Sequence, residues 1–456
     1  MPQTFPPGPK SLIPVSTLLA FRRNPLEFLT AAVRKYGDIV HFGTRTQHIF
    51  VVNDPERIKD IVTTHNAYFH KGRALERAKG LLGNGLLTSE DEFHHRQRRL
   101  AQPAFHRDRI ARYAGIMVEY ADRFQRERWR DAQTMDIARE MNRLTLAIVG
   151  KTLFGTETEA EAEQVRQALS EVMKGFNRSL LPFAQLLDRL PLPANLRYRR
   201  ARDILNSVIY RIIEERRQSG EDRGDLLSML LAAQDEESGG QMTDLQVRDE
   251  AITIFLAGHE TTANALTWAW YLLSQHPEVE AKLHDELDTV LSGRLPTVDD
   301  FPRLKFTEMV ITETMRLYPP AWTLGRRAVK DYPLGPYTIP AGSIVIMSQY
   351  LVHHDPRYFP DPFRFDPERW TPEARASRPQ FSYFPFGGGV RRCIGDGFAV
   401  MEAMMVLATL AQTWRLQHVT GHSVALQPLM TLRPKYGMPM VLAARSDRYK
   451  MARSAV

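Results

Sequence analysis

The chain has 456 residues, 43% hydrophobic and 25% charged, which suits a globular protein able to enclose a large apolar cofactor and argues against disorder. Its one cysteine excludes an intramolecular disulfide and a cysteine-rich zinc site, leaving a thiol for chemistry in a reducing compartment, the cytoplasm. The net charge of +7 comes without a zinc finger, an RNA-recognition motif or an aromatic-interleaved basic run, so an acidic protein partner fits it better than nucleic acid.

The N-terminal stretch Met1 to Lys10 carries Pro2, Pro6, Pro7 and Pro9, and the apolar stretch Ser11 to Phe21 is broken by Pro14. It falls short of the roughly 20 apolar residues of a membrane span and lacks the basic start and unbroken core of a signal peptide; no transmembrane anchor is expected. Asp38 to Val52 alternates like strands, and much of Asn53 to Gln275 has apolar spacings of three and four, the mark of helices. Within it, His94-His95-Arg96-Gln97-Arg98-Arg99 reads as a basic helix, which on its own is as compatible with a solvated face as with an anion site. Polar residues between Gly220 and Thr243 predict a mobile loop joining helices. With no repeat, low-complexity tract or linker, residues 1–456 are expected to form one domain, with no fused reductase.

Thr243-Asp244-Leu245-Gln246 is a capping box opening a helix that runs to Pro277. About thirty residues at roughly 1.5 Å each give about 45 Å, enough to cross a domain. Its centre, Ala257-Gly258-His259-Glu260-Thr261-Thr262, is a small polar island in an apolar helix. Gly258 and the threonine hydroxyls predict a local kink or widening that opens space for a small ligand. A His-Glu-x-x-His zinc site is excluded because position 263 is Ala.

Further on, Glu313 and Arg316 stand three apart on one helical face before Pro319-Pro320, Tyr337 to Met347 reads as short strands, and Pro367-Glu368-Arg369-Trp370 follows. Phe386-Gly387-Gly388-Gly389-Val390-Arg391-Arg392-Cys393-Ile394-Gly395 then places the cysteine just before the apolar run Phe398 to Leu410, a buried helix. Unpaired N–H groups at a helix start stabilise a thiolate, the form that binds iron. The glycines would let the backbone approach a flat cofactor.

This loop matches the cytochrome P450 signature Phe-x-x-Gly-x-Arg-x-Cys-x-Gly at Phe386, Gly389, Arg391, Cys393 and Gly395, and the polar island resembles the same superfamily's oxygen-binding motif. The resemblance runs through nearly the whole chain in the expected order. It implies a mainly α fold with a minor β region: a triangular helical body, a long central oxygen-binding helix and small β-sheets. It implies haem b, with Cys393 as axial iron ligand and Glu260 and Thr261 as the acid and alcohol pair that supplies protons during dioxygen activation. Ala257, Gly258, Phe386, Gly387 and Gly395 would line the haem. His94 and Arg98 match the His-x-x-x-Arg form of the propionate helix, Arg391 would offset a propionate, and Arg326, rather than Arg327, would be a further propionate partner. Glu313, Arg316 and Arg369 would form a structural triad, with Trp370 departing from the usual Phe.

The implied reaction is monooxygenation of a lipophilic substrate, a hydroxylation or epoxidation of a fatty acid, terpene or steroid. Electrons would come from a ferredoxin or flavodoxin with its NAD(P)H-dependent reductase, docking on Arg96, Arg99 and Arg392. Substrate choice would rest on the segments Tyr68 to Phe93, Phe176 to Leu196 and Met430 to Leu432, with Ala257, Ala321, Thr323, Leu324 and Thr431 as pocket residues. A peroxide-driven peroxygenase or a haem sensor on the same fold would not need Glu260 and Thr261.

Overall fold

The computed structural model describes residues 5–9, 14–44, 46–155, 165, 167–169, 171–172, 175, 190–221, 223–235 and 239–445. Helices dominate, with small separate sheets. The central helix is Asp244–Gln275, and its capping box is formed: Gln246 N donates to Thr243 Oγ1 at 3.3 Å, and Thr243 N donates to Gln246 Oε1 at 2.8 Å. It packs against the helix Ile137–Phe154, the cysteine helix Asp396–Ala411, Lys305–Leu317 and Pro193–Ser219. The cysteine helix is buried without a break from Met401 to Ala411, which explains why its apolar residues recur on every face. Trp129 lies edge-on to both Trp270 and Trp414, and Trp268 stacks on Tyr318 at 4.2 Å while its indole N–H donates to Leu432 O. These contacts bury large apolar areas and fix the central helix against the C-terminal strands.

The largest sheet among the described residues has five strands in the order Ile39–Gly43, His48–Val52, Ile344–Met347, Leu324–Ala328 and Phe69–Lys71. Both segments expected as strands lie in strands, those of Asp38 to Val52 in this sheet and those of Tyr337 to Met347 partly so. The alternation along Leu324–Ala328 buries Arg326 and leaves Arg327 half-exposed, and Lys71 pairs with Arg326 across the sheet.

Two expectations are corrected. The segment between Gly220 and Thr243 contains the helix Leu226–Ala232, started by Asp225, whose carboxylate accepts from Ser228 N at 2.8 Å. Its seven residues are too few for periodicity to register, but an aspartate before an apolar run is an N-cap signal. The central helix is α-helical without a break through the polar island, with no widened turn there. Thr261 Oγ1 donates to Ala257 O at 2.8 Å and Thr262 Oγ1 to Gly258 O at 3.3 Å, in addition to the helical ladder. No helix among the described residues is long and apolar enough to cross a membrane.

Candidate active site

Between Val247 and Leu273 the central helix is buried except at Leu256, Ala257, Gly258, Glu260, Thr261 and Tyr271. A helix in the core thus has an accessible window, and it coincides with the polar island. His259 turns the other way: it is buried, its Nδ1 lies 3.0 Å from Phe255 O, and burial lowers its pKa, so it is a neutral core histidine. Thr145 Oγ1 donates to His259 O at 3.0 Å, tying the window to the neighbouring helix. Because the Thr261 hydroxyl proton lies on Ala257 O, its oxygen lone pairs remain free to accept. Glu260 Oε1 accepts from Thr431 Oγ1 at 2.7 Å, and Thr431 in turn accepts from Asn264 Nδ2 at 3.1 Å.

The cysteine loop closes on itself through Gly387 N to Phe384 O (2.9 Å), Cys393 N to Phe386 O (3.0 Å) and Arg392 N to Gly389 O (3.1 Å). Two of its glycines are required by protein neighbours. A Cβ on Gly388 would strike the Phe381 ring, and one on Gly389, at φ 65°, would strike the Val62 carbonyl; Gly387, at φ 69°, has open space where its Cβ would be. The helix Asp396–Ala411 begins three residues after Cys393, as expected. Cys393 is exposed as a residue, while desolvation around the thiol raises its pKa against the backbone N–H of Gly395.

A second cluster lies behind this loop. Arg391 ion-pairs with Glu90 at 2.6 Å, and Glu90 also accepts from Lys71 N at 2.6 Å. Buried Lys71 donates to Leu86 O and Ser89 O and stands 3.4 Å from His94 Nδ1; burial lowers its pKa to about 7. Burial also lowers Arg326 to about 10 and His94 to about 3, each helped by neighbouring cations. Arg327 instead pairs with Glu76 at 2.6 Å, so Arg326 is the inward arginine of the two. His94 Nε2 and Arg391 Nη1 are buried without a hydrogen-bond partner among the described residues. Three buried cations sharing Glu90, with orphaned donors beside them, suit a ligand bearing two carboxylates, as haem b does. Arg98 donates to Arg392 O at 2.6 Å, bracing the cysteine loop. Sequence reasoning missed Lys71 and Glu90; the only signal was a lysine sharing a strand face with buried Phe69.

Glu250, fully buried, accepts from Leu86 N at 2.9 Å and Gln97 Nε2 at 3.2 Å, and burial raises its pKa from 4.5 to about 7. The folded state then holds a proton that the unfolded chain releases, so this group's contribution falls as pH rises from 4.5 to about 7. Glu250→Gln should remove a fall on the order of 3 kcal/mol. Denaturant unfolding of both proteins at pH 5 and pH 8 checks this: the variant should gain relative to wild type at pH 8.

Glu313 and Arg316 are fully buried and joined by two 2.8 Å hydrogen bonds, and Arg316 also donates to the carbonyls of His353, Pro362 and Arg364. Arg369 Nε lies 3.5 Å from Glu313 Oε1. Trp370 is more than a bulky replacement for Phe: its indole N–H donates to Glu313 Oε2 at 2.9 Å. Trp370→Phe should cost about 1.5 to 3 kcal/mol, the usual worth of a hydrogen bond to a charged group, read as a lower denaturant midpoint.

The expected docking patch is largely neutralised. Arg96 and Arg99 both grip buried Asp235, at 3.1 and 3.3 Å, and Arg392 pairs with Asp396 at 2.7 Å. Of the pocket candidates, Ala257 and Ala321 are accessible, Thr323 and Leu324 half-buried, and Thr431 is buried with its hydroxyl turned to Glu260 instead of an open pocket. Most of Phe176 to Leu196 lies outside the described residues.

The family model for cytochrome P450 matches residues 6–439. Cyclooctatin synthase of Streptomyces melanosporofaciens is 41% identical over 94% of this chain and 93% of its own. Cyclooctat-9-en-7-ol 5-monooxygenase of the same organism is 39% identical over 92% of this chain and 91% of its own. Pentalenene oxygenase of Streptomyces avermitilis is 38% identical over 90% of this chain and 89% of its own. A family match of this extent, over a chain whose lone cysteine, polar helix window and buried cations were already placed, shows that the protein belongs to the cytochrome P450 family.

Proposed function

We propose that this protein is a terpene monooxygenase that hydroxylates or epoxidises a cyclic terpene, with electrons from a ferredoxin or flavodoxin and its NAD(P)H-dependent reductase. As a family member it is an oxidoreductase of the monooxygenase type with haem b as cofactor. The observation that carries the site is the accessible window at Ala257, Glu260 and Thr261 in an otherwise buried helix. The terpene class is supported by the similarity to cyclooctat-9-en-7-ol 5-monooxygenase and pentalenene oxygenase.

When bound, haem supplies the redox chemistry that splits dioxygen, placing one oxygen atom in a C–H or C=C bond and releasing the other as water for two electrons. This chain's residues would do the rest. Cys393 would hold the iron. Lys71, His94, Arg326 and Arg391 would take the two propionates, and Arg98 would brace the cysteine loop. Thr261 would hold water at its free lone pairs, and Glu260 would pass protons to it. Ala257 and Ala321 would border the substrate, with Gly258, Phe386, Gly387 and Gly395 against the cofactor. One domain over residues 1–456 and a cytoplasmic location, where such donors operate, belong to the same reading.

Adding pentalenene, cyclooctat-9-en-7-ol and a medium-chain fatty acid to the haem-loaded protein tests the substrate class. A spin-state shift and a product one oxygen heavier with a terpene alone support the reading. Turnover of the fatty acid alone would move the protein to another class.

A further inference from the structure

Glu260 directly precedes Thr261 in the central helix, and it lines a cleft of about 360 Å³ with Asp136, Arg139, Arg143, Asn264 and Lys435. Across the cleft stands the hairpin of Leu426–Pro428 and Leu432–Pro434, and the turn between its strands carries Thr431. Thr431 is buried, its hydroxyl donating to Glu260 and accepting from Asn264, which follows Glu260 by one helical turn. Asp136 is already engaged by Ala138 N at 3.1 Å and Met438 N at 2.8 Å.

We propose that this cleft is the route by which solvent protons reach Glu260, and that Thr431, oriented by Asn264, is the positioning residue that holds the Glu260 carboxylate at its inner end. The proposal rests on the reading of Glu260 as proton donor. Each proton Glu260 passes toward Thr261 is replaced by one from water in the cleft, so the carboxylate ends each cycle as it began. A hydroxyl suits this post because it can donate to the carboxylate while accepting from the amide. Apolar walls would leave the carboxylate without that tether.

Thr431→Val keeps the shape and removes the hydroxyl, Thr431→Ser keeps the hydroxyl, and Glu260→Gln is the reference. In haem-loaded protein, two quantities are measured: the C–O stretch of the reduced carbon monoxide complex, and substrate-free reductant oxidation driven by a plant-type ferredoxin and its reductase, in water and deuterium oxide. Losing one such hydrogen bond should slow oxidation by about tenfold in Thr431→Val, with a larger solvent isotope effect. The C–O stretch should move toward that of Glu260→Gln, and Thr431→Ser should stay close to wild type on both measures. If Glu260→Gln is impaired while Thr431→Val matches wild type, or if Ser fails as Val does, the positioning role is wrong. If Glu260→Gln itself matches wild type, the donor reading of Glu260 falls instead.

Discussion

Replacing Glu313 with Ala should lower stability by about 3 to 5 kcal/mol, because it leaves Arg316 as an unpaired charge in the core. Both side chains have no solvent exposure, and Glu313 also receives the Trp370 indole and Asp366 N. Arg316 would retain its three backbone carbonyls, but none of these carries the opposing charge. A loss of this size is a large share of the roughly 5 to 15 kcal/mol that holds a typical domain together. The measurement is denaturant unfolding at matched haem saturation, since a bound cofactor raises apparent stability by mass action. Glu313→Gln, which keeps an acceptor but no charge, should fall between. A change in Glu313→Ala within the ordinary surface range of about 0.5 kcal/mol would show that the triad does not bear on folding.

Thr261→Ala should leave reductant consumption running while product falls, with hydrogen peroxide accounting for the missing electrons. The hydroxyl belongs to the residue that follows Glu260 in the window, and with its proton on Ala257 O its lone pairs can accept. On the proposed reading, a water that carries protons inward would lose its anchor without it, and general acid catalysis of this kind is typically worth about 10² to 10⁴-fold. Thr261→Ser should restore coupling. Oxygen uptake, peroxide and product measured together on a terpene substrate give the answer; an alanine variant with wild-type coupling would remove Thr261 from the chemistry.

The parts legible in the sequence were those with local chemistry. The capping box at Thr243 and the cysteine loop carry their signal within ten residues; the structure forms the capping box as read and places Cys393 just before the helix Asp396–Ala411. Placement across the fold was not legible. Nothing near Lys71 or Glu90 shows that they meet Arg391, because strand pairing and a distant loop bring them together. Nor was it legible that the hydroxyl of Thr431, one of the pocket candidates, would lie on Glu260, 171 positions earlier. It was equally not legible that the missing side chains of Gly388 and Gly389 make room for Phe381 and Val62. The charge of Arg96 and Arg99 was evident, but not that buried Asp235 takes it up. Trp370 was legible as a departure, but not as an additional donor to Glu313.

The most direct test of the account is the difference spectrum of the purified, reduced protein under carbon monoxide, beside Cys393→Ser. The wild type should show a far-red-shifted Soret band, the mark of thiolate ligation, and the variant should lose it. A globin-like band in the wild type, or a shifted band that survives the substitution, would contradict ligation by Cys393.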